Sequence, residues 1–154
     1  KAKDTLAGRA IGILIADGSD AALIATLKQA VVAAGASVKL VAPKVGKVKL
    51  SDGSALGADG QLAGTPSIMF DAVAIILSKE GAAMLIKEAA AVDFVRDAFG
   101  HLKAIAADAG GKTLMDKAGV VADDGVMGVA DTKHFLKAAK TRQWGRESAV
   151  RTLA

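Results

Sequence analysis

Four short apolar runs, none longer than eight residues, constrain the fold of this chain more than any other feature. Apolar runs of this length are typical of strands buried on both faces of a parallel sheet. Helical or turn-rich segments separate them, so we predict an α/β fold, a flavodoxin-like and mostly parallel sheet with helices on both faces. The predicted strands are residues 9–16, 37–42, 71–77 and 103–107.

The helices are predicted from apolar spacing and from residues that favour helix ends. Ser19 or Asp20 can cap a first helix that runs to about Ala34, where Gly35 ends it. Asp131 is predicted to cap a final helix that reaches about residue 140. Three further helices are predicted over residues 80–86, 89–99 and 111–118.

The segment between the second and third strands predicts a small β-hairpin excursion. Residues 45–50 and 54–56 flank Ser51-Asp52-Gly53, and Asp-Gly is a strong hairpin turn signal. Residues 57–67 are predicted to be loop, and residues 120–122 and 126–129 to be short strands. No repeat or linker interrupts the sequence, so residues 1–154 are interpreted as one domain.

Composition excludes several kinds of chemistry. The chain has 154 residues and no Cys, which excludes disulfides, thiolate nucleophiles and thiolate zinc sites. His101 and His134 are its only imidazoles, too few for a convincing metal site. No apolar run approaches the roughly 20 residues that span a bilayer, and no signal peptide is evident. We expect a cytoplasmic chain without a membrane partner, excised from a longer polypeptide because it begins with Lys1.

The excess positive charge lies near the C-terminus. Residues 131–154 contain six Lys or Arg and two Asp or Glu. Such a segment can bind nucleic acid, but Trp144 is its only base-stacking aromatic besides Phe135 near its start, so a solvated helix or a docking tail is favoured. Trp and Arg are common interface anchors, which makes Arg142, Trp144 and Arg146 candidate interface residues.

The carboxyl ends of the predicted strands are where parallel sheets place ligands. Asp17 and Asp20 follow the first strand and would repel a phosphate, so capping is the favoured role there. Ser78 follows the third strand beside Lys79, which can suggest a Ser–Lys nucleophile. Adjacent turn residues usually point apart, so a turn and helix-cap role is favoured for Ser78. Both histidines are interpreted as structural.

Residues 107–111 follow the fourth strand with the small residues of a nucleophile elbow. Asp108 would stand at its apex. A carboxylate can act as a nucleophile, but no acid or base is evident for it, so a helix N-cap is favoured.

Several ordered stretches together resemble the C-terminal domain of large-subunit catalases. The resemblance covers nearly the whole chain, and its specificity comes from the combination of motifs. The similar stretches are GRAIGIL at 8–14, SDG at 51–53, AGTPS at 63–67, DAV at 71–73, FGHLKAIA at 99–106 and RQWGR at 142–146.

The resemblance implies a flavodoxin-like fold related to the DJ-1/PfpI and class I glutamine amidotransferase group. Active members of that group carry a Cys at the elbow, a glycine pair after the third strand and an acid after the first. Here Asp108 or its neighbour stands at the elbow and Lys79-Glu80 replaces the glycine pair. The resemblance therefore implies no catalytic, cofactor-binding or metal-binding residue in this domain, because the nucleophile position near Asp108 is vacated.

In large catalases the haem, its Tyr ligand and the distal His belong to an upstream core. The leading hypothesis is thus a non-catalytic accessory domain that contacts the catalase core and neighbouring subunits of a homotetramer, stabilises it and shapes access to the haem channel. Chaperone-like binding of unfolded clients is the alternative. An enzyme that uses Asp108 or Ser78 is a third hypothesis, and no nucleic-acid partner is expected.

Overall fold

The computed structural model describes residues 5–153, and its centre is a six-stranded sheet in which every pairing is parallel. The strand order is β5-β2-β1-β6-β7-β8. The predicted sheet is therefore confirmed. Its strands are β1 (Ala10–Ile15), β2 (Ser37–Ala42), β5 (Gly60–Gln61), β6 (Ala72–Ile76), β7 (Ala104–Ala107) and β8 (Val126–Gly128).

The predicted hairpin is also present, as a separate antiparallel pair in which β3 (Lys47–Lys49) pairs with β4 (Ala55–Gly57). Leu50 donates its N–H to the Ser54 carbonyl at 2.8 Å, which closes the turn that holds Asp52 and Gly53. Gly53 has a φ of 85°, the left-handed conformation for which glycine is suited.

Within residues 5–153 six helices pack around the sheet, and side-chain caps explain where four of them begin. Asp20, Ser78, Asp108 and Asp131 each accept a hydrogen bond from a backbone N–H of the helix that follows. The helices are α1 (Ala21–Ala33), α2 (Lys79–Leu85), α3 (Ala89–Gly100), α4 (Ala109–Lys117), α5 (Thr132–Ala138) and α6 (Glu147–Leu153).

Two apolar layers fill the space between sheet and helices. Ile11, Ile13 and Ile15 of β1 point into the layer covered by α1 and α5, whereas Leu14 points into the layer under α2, α3 and α4. Gly12 shares the Leu14 face, where a Cβ would lie 2.5 Å from the Phe70 ring. The missing side chain thus lets that ring pack directly on the strand.

The structure differs from the sequence predictions in three places. The predicted loop 57–67 contains β5, which joins the sheet beside β2. Residues 120–122 form no strand, because Gly119 turns at φ 78° and the Val120 N–H bonds to the Met115 carbonyl to close α4. The helix capped by Asp131 is followed by a short 3₁₀ turn and α6, so it is not the final one.

Candidate functional site

The carboxyl edge of the sheet is the place to look for a site, because the strand order reverses at β1. The chain runs from β1 to β2 and β5 on one side and then crosses to β6 on the other side. In open parallel sheets, ligands bind in the crevice that such a reversal creates. The two loops that line this crevice follow β1 and β6.

The loop after β1 is held by the hairpin. The Asp17 carboxylate accepts the Lys49 N–H at 3.0 Å, and the Gly18 N–H donates to the Lys49 carbonyl at 2.8 Å. Asp17, the acid after the first strand, is thus hydrogen-bonded to the hairpin backbone, and the hairpin lies against the loop that carries Asp17.

The loop after β6 closes the crevice from the other side. The Ser78 hydroxyl accepts the Gly81 N–H at 2.9 Å and donates to the Asp17 carbonyl at 3.4 Å. A Cβ on Gly18 would lie 2.9 Å from the Ser78 oxygen, so the two loops touch. Ser78 therefore caps α2 and bridges the loops, with no basic side chain bonded to its hydroxyl among the described residues.

Asp108 occupies the elbow position in an extended backbone conformation, with φ −89° and ψ −171°. A nucleophile elbow is a sharp and strained turn that presents its side chain outward. Here one carboxylate oxygen, Oδ1, accepts the Leu77 N–H at 3.1 Å and the Gly111 N–H at 2.8 Å. The carboxylate thus fastens the start of α4 to the end of β6.

A shallow groove of about 580 Å³ adjoins Asp108. Its walls are mostly apolar, and Lys112 and Asp116 add charge along the α4 side. Partial burial raises the pKa of the Asp108 carboxyl above its usual value of 3.8, against the two backbone hydrogen bonds that lower it. A carboxylate bound in this way can position a helix, and among residues 5–153 its hydrogen-bond donors are backbone N–H groups and not a general acid or base.

We expect Asp108→Asn to be as stable as the wild type at pH 7, or more stable. The amide keeps an acceptor for both N–H groups and removes the cost of a partly buried charge. Because the folded pKa is raised, the folded carboxyl binds its proton before the unfolded one as pH falls, and the wild type regains stability on the way down to about pH 4.

Urea unfolding of both variants between pH 4 and 7 measures this difference, which should shrink toward low pH. Asp108→Ala is the matched control: like Asp108→Asn it lacks the titrating carboxyl, but it also loses the cap, so it should stay about 1–2 kcal/mol less stable than Asp108→Asn at every pH in that range. The opposite trend, in which the wild type becomes more stable relative to Asp108→Asn as pH rises, would contradict the argument.

Neither histidine lines the groove beside Asp108. His101 is the C-cap of α3, before β7 begins, and His134 bonds to the Asp124 carbonyl through Nε2 at 2.9 Å. Within residues 5–153 no group of three or more His, Cys, Asp or Glu side chains could hold a metal ion. No helix in that span is long and apolar enough to cross a bilayer.

The three candidate interface residues have different surroundings. Arg142 is exposed and Trp144 is 62% exposed, so both remain candidate contacts. Arg146 is only 3% exposed, which removes its side chain from the surface available to a partner. Its guanidinium is bound inside the domain, where it fastens the C-terminal segment to the loop before β8.

Asp123 is the residue that the sequence analysis missed at this point. It receives Arg146 Nε at 2.6 Å and Nη2 at 3.1 Å, and it also accepts the Gly125 N–H at 2.8 Å. Its place beside Asp124-Gly125 indicated only a turn. The sequence signal that could have indicated this pair is the excess of basic over acidic residues in 131–154, because such an excess favours pairing with acids elsewhere in the chain.

Solved structures of the same fold define the class of this domain. A DJ-1 superfamily protein of Salmonella typhimurium superposes with a TM-score of 0.70 at 20% identity, over 95% of this chain and 96% of that chain. A ThiJ/PfpI domain protein of Brachyspira murdochii gives 0.72 at 14% identity, over 87% and 95%. The chain is thus an α/β domain with the DJ-1/ThiJ/PfpI-like fold.

Sequence similarity then specifies the family. The model of the C-terminal domain found in long catalases matches residues 7–142, and the chain belongs to that family. It is 41% identical over 150 residues to Catalase C of Rhizobium meliloti (strain 1021), covering 94% of this chain and 21% of that protein. It is 34% identical over 147 residues to Catalase HPII of Pseudomonas putida, covering 93% and 20%. The chain spans about a fifth of the length of these relatives.

Proposed function

We propose that this chain acts as a non-catalytic accessory domain of a long haem catalase. In this role it packs on the haem-bearing core and on neighbouring subunits of a homotetramer, stabilises the assembly and shapes access to the haem channel. Its relatives are catalases of which it matches only a fifth, which supports an auxiliary part in peroxide dismutation. The observation that carries the docking role is the presentation of Trp144.

Trp144 is exposed yet held between two anchored neighbours. The Gln143 N–H donates to the Leu102 carbonyl at 2.7 Å, and Arg146 is bound on the other side. An exposed indole on a fixed backbone loses little conformational entropy when a partner covers it. Trp is the residue most enriched at interface hot spots, and exposed Arg142 lies beside it.

The chemistry at the elbow supports a role without catalysis. Asp108 and Ser78 both use their side-chain oxygens to cap helices. The contact of Ser78 with the Asp17 carbonyl closes the crevice between the loops after β1 and β6. The chain contains no Tyr, and neither histidine lines the groove beside Asp108. Its residues do not fit a haem site of their own, so the proposal assigns haem and peroxide chemistry to the rest of the catalase.

The test compares a long catalase that ends with this chain and the same enzyme truncated before it. We expect the complete enzyme to keep its tetramer and its activity longer at elevated temperature. Trp144→Ala in the complete enzyme should weaken the docking by about 2 kcal/mol while changing the stability of the isolated domain by less than about 0.5 kcal/mol. Val32→Ala, at an exposed position on α1, is the control. Equal inactivation half-lives with and without the domain would refute the proposal.

A further inference from the structure

A second exposed surface lies on the hairpin side of the carboxyl edge, and it does not include Trp144. A pocket of about 200 Å³ lies between the hairpin, the ends of β1 and β2, and α2. Two of its lining residues, Val45 and Met84, are 81% and 65% exposed, although both are apolar. Apolar side chains that converge on one pocket and remain exposed mark a binding surface more strongly than scattered ones do.

The backbone beside this pocket has an open strand edge. Leu50 bonds to Ser54 and Ala58 bonds to Gly46, so even-numbered residues of this strand face β4 and odd-numbered ones face away. Lys49 faces away and uses both backbone groups, accepting from Gly18 and donating to Asp17. The backbone N–H and C=O of Lys47 also face away, and neither has a partner within residues 5–153.

The charge of the surface is positive. Lys44 and Lys47 line the pocket, and neither forms an ion pair within the part of the chain that the structure describes. Asp17 is the acid that lines it, and its carboxylate is bound to the Lys49 N–H. An acidic group on a partner would therefore meet two lysines whose charge is not already balanced.

We propose that the outer edge of β3 and this pocket receive an extended, acidic segment of the catalase chain that lies outside this domain. The inference rests on the proposed accessory function and names the kind of segment that docks. A strand is favoured over a helix because only extended backbone can bond to the free N–H and C=O of Lys47. The relatives are about five times as long as this domain, which leaves ample chain from which such a segment can come.

The pairing is short and has defined chemistry. Asp17-Gly18 already occupies the edge at Lys49, and Gly46 leaves the strand with a φ of 110°, so the segment pairs at Lys47 alone. One apolar side chain enters the pocket between Val45 and Met84, and an Asp or Glu close to it along the segment faces Lys44 and Lys47. The short pairing makes the apolar and acidic side chains necessary for specificity.

Amide hydrogen exchange tests the proposal, with the isolated domain and the complete catalase compared peptide by peptide. We expect the Lys47 amide to exchange at least about tenfold more slowly in the complete enzyme. Lys44→Glu combined with Lys47→Glu should remove that protection, because the acidic segment is then repelled. Lys28→Glu combined with Lys39→Glu, at exposed positions outside the pocket, is the matched control and should preserve it.

A single cysteine provides an independent measurement, since the chain has none of its own. Thiol labelling of Met84→Cys should be slower in the complete enzyme than in the isolated domain, whereas labelling of Val32→Cys on α1 should not change. Protection near Trp144 with unchanged exchange at Lys47 would overturn this inference and leave the accessory function standing. No protection anywhere in the domain would overturn both. Protection of Lys47 in the isolated domain at high concentration would identify a second copy as the occupant and also refute the inference.

Discussion

Arg146→Ala is expected to lower the free energy of unfolding of this domain by about 3 kcal/mol or more. The guanidinium forms two bonds to Asp123 and donates through Nη1 to the carbonyls of Phe99 at 3.1 Å and Lys103 at 2.8 Å. It also stacks over the Phe99 ring at 4.3 Å. One side chain thus joins the end of α3, the start of β7, the loop before β8 and the C-terminal segment.

The size of the effect follows from what remains after the side chain is removed. Two carbonyls lose a charged donor, and the Asp123 carboxylate, whose side chain is 26% exposed, loses its counter-ion. Breaking a buried pair costs more than the pair contributes, because the remaining groups are left without partners. Since Asp123 keeps the Gly125 N–H and some contact with water, we place the cost at the lower end of the usual range.

Urea unfolding of the domain measures the effect, with Arg151→Ala as the matched control. Arg151 also pairs with an acid, Glu147, but its side chain is 78% exposed, so its loss should cost less than about 0.5 kcal/mol. Arg146→Lys should recover only part of the stability, because an ammonium cannot reproduce the planar set of donors. Equal losses in the free energy of unfolding for Arg146→Ala and Arg151→Ala would show that the buried ion pair stabilises the domain no more than the exposed one.

The pair of Arg146 and Asp123 shows why the fold could be predicted from the sequence whereas the exposure of Arg146 could not. The apolar runs and helix caps are local patterns. They predicted β1, β2, β6 and β7, the caps at Ser78 and Asp108, and Asp20 as one of two candidates for the first cap. The pairing of Arg146 with Asp123 joins residues 23 positions apart through a turn, and no local pattern specifies it. An arginine in a basic segment therefore suggested an exposed contact, whereas the structure places it in the interior.

The elbow gives a second example. The small residues at 107–111 predicted a sharp turn, and the turn is there. What the sequence could not give is the direction of the Asp108 side chain, because that depends on the Leu77 N–H at the end of a neighbouring strand. The extended backbone at Asp108 is that of an ordinary helix N-cap, and α4 approaches the strands closely at Gly110 and Gly111.

Gly111→Ala is expected to destabilise the domain by about 3 kcal/mol or more, although alanine is the better helix former by about 1 kcal/mol. A Cβ at this position would lie closer than 3.0 Å to the Ile75 carbonyl oxygen and to the Ala107 side chain. Gly110 is similar, since its Cβ would approach the Leu77 carbonyl equally closely. These neighbours are mainly backbone of the central strands, which cannot rotate away as a side chain can. Neither glycine has a positive φ, so the cost is one of space and not of backbone conformation.

The whole start of α4 must move for a methyl group to fit, and the bond from the Gly111 N–H to Asp108 would lengthen with it. Gly100→Ala is the matched control, because Gly100 is also helical, at the end of α3, and a Cβ added there would meet no described atom within 4 Å. That variant should be neutral or more stable by up to about 1 kcal/mol. Urea unfolding of Gly111→Ala and Gly100→Ala separates the explanations. Equal stability of these two variants would show that α4 packs on β6 more loosely than these contacts require. If only Gly111→Ala has a lower free energy of unfolding, the absence of a side chain at Gly111 is what allows α4 to close the carboxyl edge of the sheet.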